Sequence, residues 1–499
     1  MTDRLRIQTL GAAAATARRP GYDRARLTPG MVHLGLGAFF RAHEAEYTDD
    51  VLEKSFGTSD PRWGIIGASL QRPDQRDRLK PQDGLYTLIE RAPDGDKARI
   101  IGSLLDVVVA KENPEILLCA MAHPSTRIVS LTITEKGYCH DPATGKLDQK
   151  HPDIVHDLAQ PAAPRSAIGF VVEALRRRRE AGTASFTVLC CDNLPSNGRL
   201  VGGFVRDFAS LRDDKLATWI AANGAFPSTM VDRIVPAAAQ ADIDSARKLT
   251  GLIDEAPVAH EPFRQWVIED TFVDGARPRW EEAGAQIVSD VAPFENMKLK
   301  LLNASHSALA YLGYLAGHET ITDTVSDPVF RQYVQKLWHD EIIPVFPASP
   351  GMDVDAYVAA LLARYSNPAI RHRTWQIAMD GSQKLPQRLL GTIRARLKAG
   401  LPLPALALSV AAWMRYVGGI DERGAPIDVR DPLAALLRQR LDTAGDEASE
   451  RVSALLGVTA VFGDDLPRDQ QFKDAVATAY VSLLVKGARA TAQTLTGTS

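Results

Sequence analysis

The chain has 499 residues, enough for two or three domains at about 100 to 200 residues each. Hydrophobic residues make up 45% and charged residues 24%, a globular composition that excludes disorder as the main state. Fifty-eight Lys and Arg against sixty-one Asp and Glu leave a formal net charge of −3, so nothing draws the chain to nucleic acid or an anionic membrane at long range.

Four cysteines, Cys119, Cys139, Cys190 and Cys191, include a vicinal pair that cannot easily bridge, and none is spaced as a zinc ligand set. This predicts no structural or catalytic metal and a reducing, cytoplasmic setting. The N-terminal stretch has no apolar core before a cleavage site, and the longest apolar runs, such as Ala308 to Ala316, are too short to span a bilayer.

In chain order, short apolar runs alternate with helical patterns through the first half, which predicts a doubly wound, Rossmann-like parallel sheet. The expected strands are Val32 to Leu36, Gly64 to Leu70, Arg99 to Leu104, Arg127 to Thr134 and Phe186 to Cys191. A helix is expected from Ser166, as N-cap, through the Arg176 to Arg179 run, which reads as a solvated last turn complementing the macrodipole. Long helical patterns dominate after about residue 289, with turns at Pro347 to Gly351, Gly400 to Pro404 and Gly418 to Pro426. The expected organisation is a dinucleotide-binding domain over residues 1–288 and a mainly α-helical substrate domain over residues 289–499.

Gly35 and Gly37 end the first strand directly before a helical pattern that runs to Leu52. There Gly35 would make the tight turn, Gly37 would let the backbone approach a pyrophosphate, and the helix start would supply amide donors. Phe40 stands where the fingerprint has its third glycine, so Gly35, Gly37, Phe40 and Arg41 form a degenerate version of that turn. After the second strand, Asp74 can accept from the adenosine ribose hydroxyls of NAD, while Arg72 and Arg76 can instead hold the 2′-phosphate of NADP.

Lys298, Asn303 and His306 open the helical half at i, i+5 and i+8, within an arc of roughly 140° on an α-helix. Taken alone, the lysine can be a snorkelling side chain and the histidine a satisfied core residue. Together with Gly35-Leu-Gly37-Ala-Phe-Phe-Arg41, Ser130-Leu-Thr-Ile-Thr-Glu135-Lys-Gly-Tyr138, Asp192-Asn193-Leu-Pro-Ser-Asn197-Gly198 and Met230-Val-Asp232-Arg233, the segment resembles the polyol-specific long-chain dehydrogenases, the mannitol dehydrogenase family, over nearly the whole chain.

The resemblance implies zinc-independent, NAD-dependent hydride transfer at a secondary alcohol. Lys298 matches the family's general base, a role that fits an ammonium disfavoured by burial. Asn193 and Asn303 match asparagines that stabilise the developing alkoxide. His306 matches a substrate-positioning histidine, and Asp232 a polyol-contacting aspartate, with a structural pair to Arg233 as the alternative. Glu135, at the end of the fourth strand, can gate solvent, relay a proton, or simply enter the next turn.

Asn367 to Arg388 and Thr134 to Cys139 look like the fructuronate reductase branch, which interconverts D-mannonate and D-fructuronate. Arg371, His372, Arg373 and Lys384 are then candidates for the substrate carboxylate, the arginines as bidentate forks. The alternative is a mannitol 2-dehydrogenase, or an arabinitol or sorbitol enzyme, with those cations on a solvated face. The partner implied is a small sugar acid or polyol rather than nucleic acid or membrane, in a monomer or small homo-oligomer.

Overall fold

Strand β1 (Pro29–Leu34) is buried from Gly30 onward, which is why its sequence reads as an unbroken apolar run around His33. The computed structural model describes residues 3–55, 61–141, 144–347 and 352–497, and the chain forms two compact units, Met1–Ala292 and Pro293–Ser499.

In the first unit β1 is followed by the helices α1 (Ala38–Arg41) and α2 (Glu44–Ser55), strand β2 (Gly64–Ser69) and helix α3 (Asp74–Leu79). The single helix expected after the glycine turn is thus two, broken at Ala42 and His43. The imidazole of His43 is buried there, stacked on Phe39 and hydrogen-bonded to the Gln265 carbonyl at 3.0 Å.

Next come β3 (Tyr86–Ala92), β4 (Gly95–Ile101), β5 (Leu104–Val109), β6 (Ile128–Leu131), helix α4 (Ala167–Glu180) and β7 (Thr187–Cys190). The five-stranded sheet has the order β5-β2-β1-β6-β7, all parallel. Counted among its own strands that order is third, second, first, fourth, fifth, which is five of the six strands of the doubly wound order. The order reverses between β1 and β6, so their carboxyl ends, Leu34-Gly35 and Leu131-Thr132, border the crevice where such sheets bind ligands.

The expected third strand, Arg99 to Leu104, is corrected by this topology. Arg99 to Ile101 closes β4, which pairs antiparallel with β3 around a Pro93-Asp94-Gly95 turn, and the third parallel strand begins at Leu104. Gly102 and Ser103 divide the two strands, and because both flanks are apolar the stretch reads as one.

Ser166 caps α4 as expected, its hydroxyl accepting from the Gly169 amide at 2.9 Å. The arginine run at its end is not all solvated. Arg176 and Arg177 pair with Glu173, whereas Arg178 is fully buried and donates to the carbonyls of Met121, His123, Thr126 and Ala184. One guanidinium therefore satisfies the backbone that leads into β6 and β7 at their amino ends.

Among its described residues the second unit is helical and has no strand. Its core is centred on Ala304–Leu315, Pro404–Val417 and Gln470–Thr496, with Tyr311, Trp413, Tyr416, Phe472 and Tyr480 buried. Turns occupy the expected positions at Gly400 to Pro404 and Gly418 to Pro426, whereas residues 348–351 of the first expected turn lie outside the described residues. No helix among the described residues is long and apolar enough to cross a membrane.

Candidate active site

Gly35 has φ +100°, and a Cβ there would sit 2.1 Å from the Thr132 carbonyl, so the turn requires glycine. Its carbonyl is gathered by the Gly37 amide at 2.6 Å and the Thr132 hydroxyl at 2.8 Å. His33 fixes this knot from below, with Nδ1 2.8 Å from the Ser130 hydroxyl and Nε2 2.8 Å from that of Thr132. At Gly37 a Cβ would meet nothing closer than 3.9 Å, which leaves the backbone open to an approaching group. Phe40 is fully buried and stacks on His33 at 3.6 Å, packing the floor of the turn.

The guanidinium of Arg41 is buried against the carbonyl of Ala256 and the ring of Tyr86. Asp74 is exposed as the first residue of α3, with its carboxylate at the surface. Of the two alternative phosphate readers, Arg76 is committed to Asp77 and Glu112, while Arg72 is exposed before α3. Beside α3 a cavity of about 160 Å³ is lined by Arg41, Gln75, Arg78 and Glu255, and the buried Oε1 of Gln75 has no hydrogen-bond partner. An obligatory glycine turn, an exposed acidic residue after β2 and an unmet amide oxygen together fit a dinucleotide.

At the carboxyl end of β7, Asp192 and Asn193 follow Cys191. Asp192 accepts from the Ile133 amide (2.8 Å), the Thr134 amide (3.2 Å) and the Tyr138 hydroxyl (2.7 Å), and burial raises its carboxyl pKa despite those donors. Asn193 is exposed. Asn197 is buried, and its amide donates to the carbonyls of Cys190, Asp192 and Thr229, each at 3.0 Å, locking the loop beneath Asn193. Glu135 is exposed at the start of a single 3-10 turn, Glu135–Tyr138. Asp232 is buried at the end of the strand Thr229–Asp232, while the Arg233 guanidinium meets Glu46 and the carbonyls of Ala42 and Glu261.

In the second unit, Ala292–Met297 and Ala304–Leu315 are α-helical, and Lys298–Asn303 between them is a π-helix. Such wide turns are rare and concentrate at functional sites. The arc expected from α-helical geometry therefore does not apply. Lys298 and Asn303 stand at the i→i+5 interval of the π turn itself, so they lie one above the other. Lys298 is 8% exposed and His306 7%.

His306 stacks on Tyr365 at 5.4 Å and meets His372 edge-on at 4.5 Å. Its pKa is pushed well below the ordinary value by burial, then by the positive fields of His372, Arg388, Arg364 and Lys384. Burial first, then Arg364 and Lys384, bring His372 to about 4. The buried His306 Nε2 and His372 Nδ1 have no hydrogen-bond partner among the described residues. Arg388 donates to the Ser307 hydroxyl at 2.9 Å and the Asn303 carbonyl at 3.3 Å, and Lys384 to the carbonyls of Ile377 and Met379.

Of the four expected carboxylate readers, His372 and Lys384 join this group, while Arg371 and Arg373 do not. Their side chains are 68% and 62% exposed and both face Glu319. Arg364 and Arg388 take their place beside His306, on segments 24 positions apart in sequence with no local pattern to connect them. Elsewhere, Cys139, His151 and Asp153 bring possible ligand atoms within 4.8 Å of one another, but His151 Nδ1 already accepts from the Asp153 amide.

Depressed histidines set a pH window for folding. His43 falls to about 3 and His260 and His372 to about 4, each mainly through burial. The unfolded chain takes up these protons near pH 6.5 and the folded chain does not, so this stability is complete above about pH 6.5 and is lost as pH falls toward 4. The urea midpoint should be lower at about pH 5 than at about pH 7. Equal midpoints would contradict the burial of these rings as neutral groups.

Residues 29–282 match the family model described as the mannitol dehydrogenase Rossmann domain, and residues 290–484 match the mannitol dehydrogenase C-terminal domain. The chain belongs to the mannitol dehydrogenase family. It is accordingly an oxidoreductase, with the Rossmann-like sheet and helical second part that the resemblance implies. D-mannonate oxidoreductase of Escherichia coli (strain K12) is 50% identical over 479 residues, covering 94% of this chain and 96% of that protein. Mannitol 2-dehydrogenase of Pyrenophora tritici-repentis (strain Pt-1C-BFP) is 44% identical over 477 residues, covering 94% of this chain and 82% of that one. Among solved structures, Pseudomonas fluorescens mannitol 2-dehydrogenase in ternary complex with NAD and D-mannitol superposes with a TM-score of 0.87 at 38% identity, covering 99% of this chain and 100% of that chain. Relatives on both sides of the question of substrate charge are thus close to this mannitol dehydrogenase family member.

Proposed function

We propose that this oxidoreductase interconverts D-mannonate and D-fructuronate with NAD. The observation that carries the hexonate reading is the cluster of Arg364, His372, Lys384 and Arg388 around His306, all cations or imidazoles, beside buried ring nitrogens with unmet hydrogen bonds. A neutral hexitol offers such a group no counter-charge, whereas a hexonate brings a carboxylate that accepts from several donors at once. The 50% identity to a D-mannonate oxidoreductase supports the same choice. NAD is favoured over NADP because Asp74 presents an exposed carboxylate after β2 and Arg76 is held by Glu112 and Asp77.

When bound, the nicotinamide would supply the hydride as NADH in reduction and accept it as NAD in oxidation. Lys298 takes the alcohol proton in oxidation and returns it to the ketone oxygen in reduction. Asn303, one π turn along, donates an amide hydrogen to that oxygen as charge builds on it, and Asn193, at the end of β7, matches the family's other alkoxide-stabilising asparagine. His306, kept neutral by burial and its cationic neighbours, binds a substrate hydroxyl through Nε2. Gly35, Gly37, Phe40 and Arg41 shape the turn that receives the pyrophosphate, Asp74 holds the ribose, and Glu135, on the turn after β6, and Asp232, at a strand end, are the further candidates in the first unit.

Initial rates with NADH on D-fructuronate and on D-fructose, repeated with NADPH, test this reading, because the two ketones differ chiefly in the carboxylate. A strong preference for fructuronate with NADH is expected. Preference for fructose would make the protein a mannitol 2-dehydrogenase and return the cationic group to a structural role.

A further inference from the structure

We propose that Asp192 is a positioning residue for the cofactor-facing rim of the sheet, holding the segment Thr134–Tyr138 in a backbone conformation that it would not keep alone. The inference rests on the reading that NAD binds at the carboxyl ends of the strands.

Thr134 has φ +65° and ψ 161°, a region open essentially to glycine alone. It is β-branched, which makes the conformation costlier still. Five residues on, Cys139 also has positive φ, at +50°, so the short turn beyond β6 is bracketed by two non-glycine residues with positive φ. A chain keeps such residues only where its surroundings over-determine them. Beside the Gly137 amide, which bonds the Thr134 carbonyl at 3.0 Å, the constraint comes from one carboxylate. Asp192 Oδ2 accepts from the Ile133 amide and the Tyr138 hydroxyl, and Oδ1 from the Thr134 amide.

Three donors converge on this group, so only an acceptor-only carboxylate suits the site. An asparagine can serve two donors with its oxygen but must turn an NH2 toward the third. Tyr138 is fully buried, its hydroxyl also 3.0 Å from Cys190 Sγ, so the far end of the turn is anchored to β7 as well. The carboxylate therefore ties the ends of β6 and β7 together, directly before Asn193 and directly around Glu135. Of these two strands β6 lies beside β1, whose following Gly35 packs on Thr132. A relaxed Thr134 would shift the rim without unfolding the sheet.

The test measures NADH affinity, by fluorescence titration, and melting temperature together in the full chain. Asp192→Asn is expected to weaken NADH binding about tenfold. Adding Thr134→Gly to it should recover most of that loss, because glycine occupies the same backbone conformation without strain. Thr134→Gly alone should leave affinity within about twofold and raise the melting temperature. If the Asp192 variant does not fold, Tyr138→Phe, which removes one donor, should weaken NADH a few-fold with the sheet intact. An Asp192→Asn protein that melts lower but binds NADH normally, or a double variant with no recovery, overturns the positioning role. Wild type that binds no NADH overturns the cofactor reading, and this role with it. Wild type that binds while the variants match it overturns the positioning role alone.

Discussion

Replacing Lys298 with alanine is expected to abolish turnover, with kcat falling by at least about 1,000-fold, while NADH binding survives. The side chain is 8% exposed on a π turn, and Asn303 stands five residues along, at the interval that turn closes. The glycine turn that receives the dinucleotide is built from other residues, Gly35, Gly37 and Thr132, so its affinity for NADH should not depend on the lysine. Fluorescence titration and single-turnover rates separate the two effects. A variant that keeps a tenth of the wild-type rate would remove Lys298 from proton transfer.

The second large effect is expected at Arg388. If this side chain reads the substrate carboxylate, Arg388→Ala should cost roughly 2 to 5 kcal/mol in kcat/KM for fructuronate, at least about 30-fold. Arg388 also bonds Ser307 and the Asn303 carbonyl, so its loss can disturb the helix itself. The informative quantity is therefore the ratio of kcat/KM on fructuronate to that on fructose, in which a general disturbance cancels. Arg373→Ala supplies the control, because that arginine is 62% exposed and faces Glu319. A surface ion pair of this kind is worth about 0 to 1 kcal/mol, and the ratio should not move. If Arg373 shifts the ratio and Arg388 does not, the carboxylate is read at the surface group.

How much of the structure is legible in the sequence depends on the range of each signal. The parallel strands and the Ser166 cap are local, written in consecutive apolar residues and a capping serine, and both are found where expected. The third strand is the exception, because Arg99 to Val109 carries two strands across Gly102-Ser103 with no strong break. The turn at Pro93-Asp94-Gly95 marks the hairpin and is the signal that separates them. Arg178 has no such local mark, because Arg179 likewise lies four and seven residues beyond the buried Leu175 and Val172, and what buries Arg178 is the set of distant carbonyls that it meets. The cluster around His306 has no such trace. Arg371 and Arg373 stand out in the sequence for their nearness to each other, whereas Arg364 and Arg388 reach the histidine only through the tertiary fold of the second unit. The π turn is equally silent, since one residue of widening leaves the apolar spacing of Leu299, Leu301 and Leu302 looking helical.

That widened turn also determines which kinds of change the protein can absorb. Over Lys298–Asn303 the backbone carries one residue more per hydrogen-bonded ring than the helices on either side. Deleting one of the residues between Lys298 and Asn303 would let the segment close into an ordinary α-helix, in which the two become i→i+4 neighbours and keep a common face. The alignment of the lysine with the asparagine thus survives a change in the segment's length that would ordinarily rotate one end of a helix against the other, and a lineage that lost one position there would still hold both side chains on one face.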